Sequence, residues 1–170
     1  MRITIIILFF ALMPVIAFAQ TNPVERVYQK YAGMEGVTSL HISSGMFRLL
    51  AKIDPSDKDL SDLASSVNSI LILHAPALHV NAAGMNFYDE VLQDLMVERY
   101  QELMKVNSSD QQVLFLADEV NGKIRELLML VGGDGDNALI CIRGDLDLKQ
   151  LSSLSGIDAP GMGHFMSLEK

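Results

Sequence analysis

Several groups of residues in this chain have types and spacings that can do chemistry. The run Asp134-Gly135-Asp136-Asn137 gathers side-chain oxygens that suit a hard cation. A calcium loop of the EF-hand type needs a further oxygen ligand at its fifth position and a glutamate at its twelfth, and Ala138 and Asp145 stand there instead. The run therefore reads as a solvated hairpin turn. His74 and His79 bracket Ala75-Pro76-Ala77-Leu78, and two imidazoles are a start on a zinc site. Pro76 between them opposes the single helical face that such a pair would share. Met162, His164 and Met166 are soft ligands of the kind copper takes. His41, Ser43 and Ser44 cluster at a strand-to-helix junction, where a helix N-terminus favours an anion, although capping is the plainer role for the serines. The single cysteine, Cys141, lies in Leu139-Ile140-Cys141-Ile142, which reads as the core of a strand. The chain carries no G-x-S-x-G elbow, no glycine-rich phosphate loop and no H-E-x-x-H. On its motifs alone, then, it assigns no catalytic, cofactor-binding or metal-binding residue.

The elements that must position these groups begin with a segment expected to be removed. Arg2 supplies a positive charge, residues 3–13 form an apolar run interrupted by Thr4 alone, and Pro14 breaks it. Ala17-Phe18-Ala19 then offers the small residues that a signal peptidase reads, so cleavage is expected before Gln20. The apolar run falls short of the roughly 20 residues that span a bilayer. No cysteine adjoins the cut to take a lipid anchor, and the apolar stretches at 69–75 and 125–131 are only of strand length. The expected organisation is a signal peptide at 1–19, one domain at 20–155 and a loose C-terminal tail at 156–170, with a periplasmic or secreted product and no membrane span. One cysteine permits no intramolecular disulfide, so the domain must rely on its apolar core.

The chain has 21 acidic and 13 basic residues, a formal charge of −8, and loss of the signal removes Arg2 and no acid. An acidic chain without a basic block is not built for nucleic acid or for anionic lipid. Its acids are scattered, as on a soluble surface.

Periodicity gives the elements. Val24, Val27, Tyr28 and Tyr31 form a helical stripe after Asn22-Pro23, and residues 37–42 alternate as a strand with Thr38, Leu40 and Ile42 on one face. Met46, Leu49, Leu50 and Ile53 predict the inward stripe of a second helix. A third carries Leu60, Leu63, Ala64 and Val67 and leads into Ile70-Leu71-Ile72-Leu73, a run suited to an interior strand apolar on both faces. After a loop at Pro76, the stripe Tyr88, Val91, Leu92, Leu95 and Met96 predicts the best amphipathic helix of the chain. Strands follow at 100–106, 113–117, 124–131 and 138–143, separated by turn residues, and short connections force neighbours to run antiparallel. Leu148, Leu151 and Leu154 mark a last helix, which Asp147 can cap and Gly156 ends. There is no solenoid-type repeat. The fold class is α+β, a mainly antiparallel sheet with a C-terminal four-strand meander and helices on at least one face. In the third strand of the meander Ile124, Leu128 and Leu130 are expected on one face and Leu127, Met129 and Val131 on the other. A sheet apolar on both faces needs a second helical layer, a homodimer contact or a lipophilic ligand.

The run Tyr31-Ala32-Gly33-Met34-Glu35-Gly36-Val37-Thr38-Ser39-Leu40-His41-Ile42-Ser43, followed by Met46-Phe47-Arg48, resembles the opening of a Bacteroidetes exported family, the domain of unknown function DUF4252. Tyr100-Gln101-Glu102-Leu103-Met104-Lys105-Val106, Ile124-Arg125-Glu126-Leu127-Leu128-Met129-Leu130-Val131 and Leu139-Ile140-Cys141-Ile142-Arg143-Gly144-Asp145-Leu146 are similar to its later strands. The resemblance implies an exported or lipid-anchored envelope domain, implies no reaction and carries no catalytic residue. The chain departs from the anchored members in lacking the lipobox cysteine.

Two functional classes remain. One is an exported, noncatalytic binding or interaction module of the cell envelope, with a protein partner or an apolar small ligand. The other is a small periplasmic enzyme whose site is not visible in sequence. A binding module predicts an apolar surface, and an enzyme predicts a pocket holding perturbed carboxylates or histidines.

Overall fold

The computed structural model describes residues 22–146. The expected signal peptide, the helix led by Leu148, the tail at 156–170 and the trio Met162, His164 and Met166 lie outside the described residues.

Helix α1 (Pro23–Tyr31) starts where the Asn22 side chain accepts a hydrogen bond from the Val24 amide at 2.9 Å, with proline in the first turn where it forfeits no helical bond. Val24, Val27 and Tyr31 are buried, as the stripe predicts. Strand β1 (Thr38–Ser43) follows, then helices α2 (Ser44–Ile53) and α3 (Lys58–Ser66), and then strand β2 (Val67–Ala75). Two short helices, α4 (Ala77–Ala83) and α5 (Phe87–Leu92), and a tight turn at Val97–Arg99 lead to β3 (Gln101–Asn107), β4 (Gln111–Val120), β5 (Lys123–Gly133) and β6 (Asn137–Leu146). The six strands form one sheet in the order β1-β2-β6-β5-β4-β3, with every neighbouring pair antiparallel. The expected α+β class and the C-terminal meander are both present, and β2 is an interior strand between β1 and β6.

Helices lie on both faces. On the first, α1, α4 and α5 bring Val24, Val27, Val80, Phe87 and Val91 onto Leu71, Leu73, Leu116, Leu128, Leu130 and Leu139. On the second, Phe47 of α2 fills a slot among Val67, Ile70, Ala117, Ile124 and Leu146. Full burial of side chains of this size contributes about 1.5–3 kcal/mol each, so the two layers rather than helix propensity hold these short helices in place.

Details depart from the sequence pattern. Helix α2 buries Phe47 and leaves Met46, Leu49 and Ile53 exposed, because the bulkiest side chain takes the slot and turns the predicted stripe outward. The stretch after Pro76 folds as α4 rather than loop, and Val67 opens β2 rather than closing α3. Helix α5 closes at Leu92, so Leu95 and Met96 fall outside it, and Met96 is exposed. The chain must turn there, since Asp94 is held by Arg26 and the backbone tightens into Val97–Arg99 before β3. Ile124 packs with Leu127 on the second face, not with Leu128 and Leu130, because a bulge between Ile124 and Glu126 switches its side.

Candidate functional site

The first face of the sheet changes character toward one end. Along most of its length it is apolar, but the last cross-strand row is Asp118 of β4, Glu126 of β5 and Arg143 of β6, adjacent in register. Asp118 and Glu126 are buried at 7% and 6% exposure, and two carboxylates side by side in that setting require cations. Arg143 meets Glu126 through Nε at 2.5 Å and Glu25 of α1 through Nη1 at 2.6 Å. Arg99, from the turn before β3, meets Asp118 through Nη2 at 2.8 Å. Tyr100 donates its hydroxyl hydrogen to the second oxygen of Glu126 at 2.8 Å. Burial, and after it the negative charges of Glu126 and Asp118, push the Tyr100 hydroxyl well above its usual range and keep it protonated.

A second polar contact fixes α1 to α5. Arg26 pairs with Asp94 and donates to the Glu90 carbonyl at 3.2 Å, while Lys30 meets the Glu90 carboxylate at 2.8 Å and the Tyr31 hydroxyl donates to that same carboxylate. Burial first, and Glu90 next, raise the Tyr31 hydroxyl.

Between these two polar groups opens a cleft of about 530 Å³. Asn22, Pro23 and Arg26 from the start of α1 form one wall, and Asp94, Leu95, Met96, Arg99 and Tyr100 form the other. The cleft thus exists because α5 stops early: a helix continued to Met96, as the stripe predicted, would leave no turn to shape the second wall. Two guanidinium groups stand in this lining, each held in place by a carboxylate, with apolar surface from Pro23, Leu95 and Met96 between them. Such a lining can recognise an apolar group that carries oxygen acceptors.

The residues singled out in the sequence lie elsewhere. Asp136 accepts from the Ala77 amide at 2.8 Å and stands 3.6 Å from His74, while Asn137, fully buried, accepts from the Phe87 amide at 2.9 Å and donates to the carbonyls of Gly133 and Gly135. The acidic turn is therefore a tie between the meander and helices α4 and α5 rather than a solvated loop. His79 packs beside Gly36, and no group of three or more His, Cys, Asp or Glu residues suited to a metal ion occurs among the described residues. His41 meets the edge of Tyr28 at 6.3 Å between ring centroids, and Ser43, at the start of α2, makes no side-chain capping bond. Cys141 is fully buried on the first face, where burial above all, and the nearby Glu126 carboxylate, push its thiol well above the usual range. It is a core residue, as its strand context predicts.

Neither Glu126, Arg143 nor Tyr100 was singled out by motif. A usable signal was present in the charged residues that end otherwise apolar strands, Asp118, Glu126 and Arg143, since charges facing a core must pair.

The fold and the cleft define a small α+β domain with helices on both sheet faces and a preformed, charge-lined recess. The chain belongs to the family described as Domain of unknown function (DUF4252), whose pattern it matches over residues 28–154. No curated protein matches it, and no solved structure does. No helix among the described residues is long and apolar enough to cross a membrane.

Proposed function

We propose that this protein is an exported, noncatalytic binding module of the cell envelope, and that the cleft between the start of α1 and the turn before β3 receives part of a protein partner. Export rests on Arg2, the apolar run at 3–13 and Ala17-Phe18-Ala19. The observation that carries the binding reading is the pair Arg26 and Arg99, both immobilised by carboxylates before any ligand arrives, in a lining that also offers apolar surface. Donors fixed in advance cost little ordering entropy on binding, which is how a recognition site gains affinity. Met96 and Val97, exposed and consecutive at the rim, extend the apolar contact beyond the recess. A partner's apolar side chain, flanked by its own backbone carbonyls or a carboxylate, is the complement of this surface.

The test is a crosslinking pull-down of the tagged mature protein from the envelope of its own host, with an unrelated exported domain as control. The wild type is expected to enrich a specific protein that Met96→Asp and Arg99→Glu both release. Enrichment equal to the control, or enrichment indifferent to both substitutions, rejects the cleft as the binding surface.

A further inference from the structure

The sheet has two free edges, β1 and β3, and they differ in what they offer. Strand β3 is exposed at every one of its residues, holds no proline or glycine, and shows Leu103, Met104 and Val106 to solvent. An uncovered edge strand leaves a row of backbone N–H and C=O groups pointing outward, a template for another strand. Strand β1 exposes one large apolar residue, Leu40, and carries no acidic residue, lysine or arginine.

Bulges and lysines are the usual guards of such an edge, and β3 has one of each. Its bulge has a second effect. The register passes from Glu102 opposite Leu116 to Met104 opposite Phe115, so Leu103 has no partner in β4. In a regular strand Glu102 and Lys105, an odd number of residues apart, would point to opposite faces. Across the bulge both fall on the first face, beside Leu116 and Leu114. Neither meets an opposite charge among the described residues. On the second face Met104 ends a cross-strand row that runs through every strand of the sheet, from Leu40 by way of Ile72, Ile140, Met129 and Phe115.

We infer that the occupant of this edge is a second copy of the chain, its β3 antiparallel to the first about a two-fold axis at Met104. Residues directly opposite in an antiparallel pair share a face, so a register centred on Met104 must match like face with like face, and it does. On the first face Glu102 stands opposite Lys105 of the second copy, and Lys105 opposite its Glu102. On the second, Met104 meets its own counterpart, and Gln101, which lies beside Ala117, meets Val106. The contact is isologous, forms two ion pairs at once and carries the apolar row from one sheet into the next. An unrelated strand would need a lysine and a glutamate in the matching order, which this edge supplies to itself. The edge shares no residue with the cleft.

Sedimentation equilibrium of the full mature chain is expected to show a monomer–dimer equilibrium at micromolar concentration. Glu102→Lys and Lys105→Glu each set like charges opposite one another at both positions, and each should raise the dimer dissociation constant about tenfold or more. Both side chains are exposed, so neither reversal disturbs the core. An equimolar mixture of the two variants should recover the dimer as a heterodimer, because every opposed pair is then again of opposite sign. A wild type that stays monomeric up to millimolar concentration overturns the inference, and so does a dimer indifferent to either reversal. Failure of the two variants to recombine rules out the register centred on Met104 and overturns it as well. Growth beyond a dimer does the same, since a two-fold contact closes on itself.

Discussion

Glu126 and Arg143 face each other across β5 and β6 at 2.5 Å, and this contact lets an acidic row stand at the end of an apolar face. Glu126 also receives the Tyr100 hydroxyl hydrogen, and Arg143 also holds Glu25, so one pair ties the meander to α1 and to the start of β3. Removing Glu126 leaves the largely buried Arg143 with Glu25, half-exposed, as its one remaining carboxylate partner. Glu126→Ala is expected to destabilise the domain by about 3 kcal/mol, while Arg143→Met added to it should recover part of that loss, because the under-compensated cation goes with it. Urea unfolding of the single and double variants measures both. A double variant less stable than either single would show that the pair does not act as a unit.

The Cys141 thiol and the Tyr100 hydroxyl, together with the Tyr31 hydroxyl on the same face, are held protonated in the folded state, and this sets the response to alkali. The Cys141 thiol is raised above its ordinary 9.0 and the Tyr100 hydroxyl above its ordinary 10.0, each by burial first and by neighbouring carboxylate charge second. Above these ordinary values the unfolded chain releases protons that the folded chain retains, so unfolding gains favour as pH rises. Stability should be level from pH 7 to about 8.5, then fall, with the first part of the fall absent in Cys141→Ala and the later part reduced in Tyr100→Phe. Equilibrium unfolding across pH 7–11 provides the check, and iodoacetamide at pH 8 should modify Cys141 only in denatured protein.

Helix α2 separates the hydrophobic pattern from the packing it was expected to announce. Phe47→Ala empties the slot between Val67, Ile70, Ala117, Ile124 and Leu146 and should cost about 3–5 kcal/mol. Ile53→Ala, at a position the stripe placed inside and the structure leaves 72% exposed, should change stability by no more than about 0.5 kcal/mol. Thermal melts of the two variants distinguish the arrangements, and the reverse order of effects would restore the predicted stripe.

What was legible in the sequence follows from the range of the forces involved. Alternation and turn chemistry are local, so β3 to β6 and their antiparallel order could be read from 100–143, and so could α1 from Asn22-Pro23 and its stripe. The candidate site could not, for a nonlocal reason. Counting back from the Asn121-Gly122 turn in regular register places Asp118 opposite Arg125, an unremarkable surface pair. An extra residue in β5, Arg125, bulges out of that register, sets Asp118 opposite Glu126, and creates the demand that Arg99 and Arg143 answer. The cleft depended likewise on where α5 stops. Its apolar stripe continues to Met96, and only the contact of Asp94 with Arg26, 68 residues away, shows that the helix does not.

The acidic turn gives the plainest contrast between a chemical and an architectural role. If Asp134, Asp136 and Asn137 served a cation, calcium would raise the melting temperature and loss of Asp134 would abolish the effect. The structure assigns the work differently. Asn137 is fully buried, satisfies the first amide of α5 at Phe87 and returns its own N–H groups to Gly133 and Gly135, whereas Asp134 is exposed. Asn137→Leu should therefore cost about 2–3 kcal/mol, since the Phe87 amide and the two carbonyls lose their partners together. Asn137→Asp should be nearly as damaging, because a carboxylate can accept from Phe87 but has no hydrogen to donate. Asp134→Asn should leave stability within about 0.5 kcal/mol of the wild type, and millimolar calcium should move no variant. Calorimetry with and without calcium decides it: a calcium-dependent rise that vanishes in Asp134→Asn would return the turn to the metal-binding role that its composition first suggested.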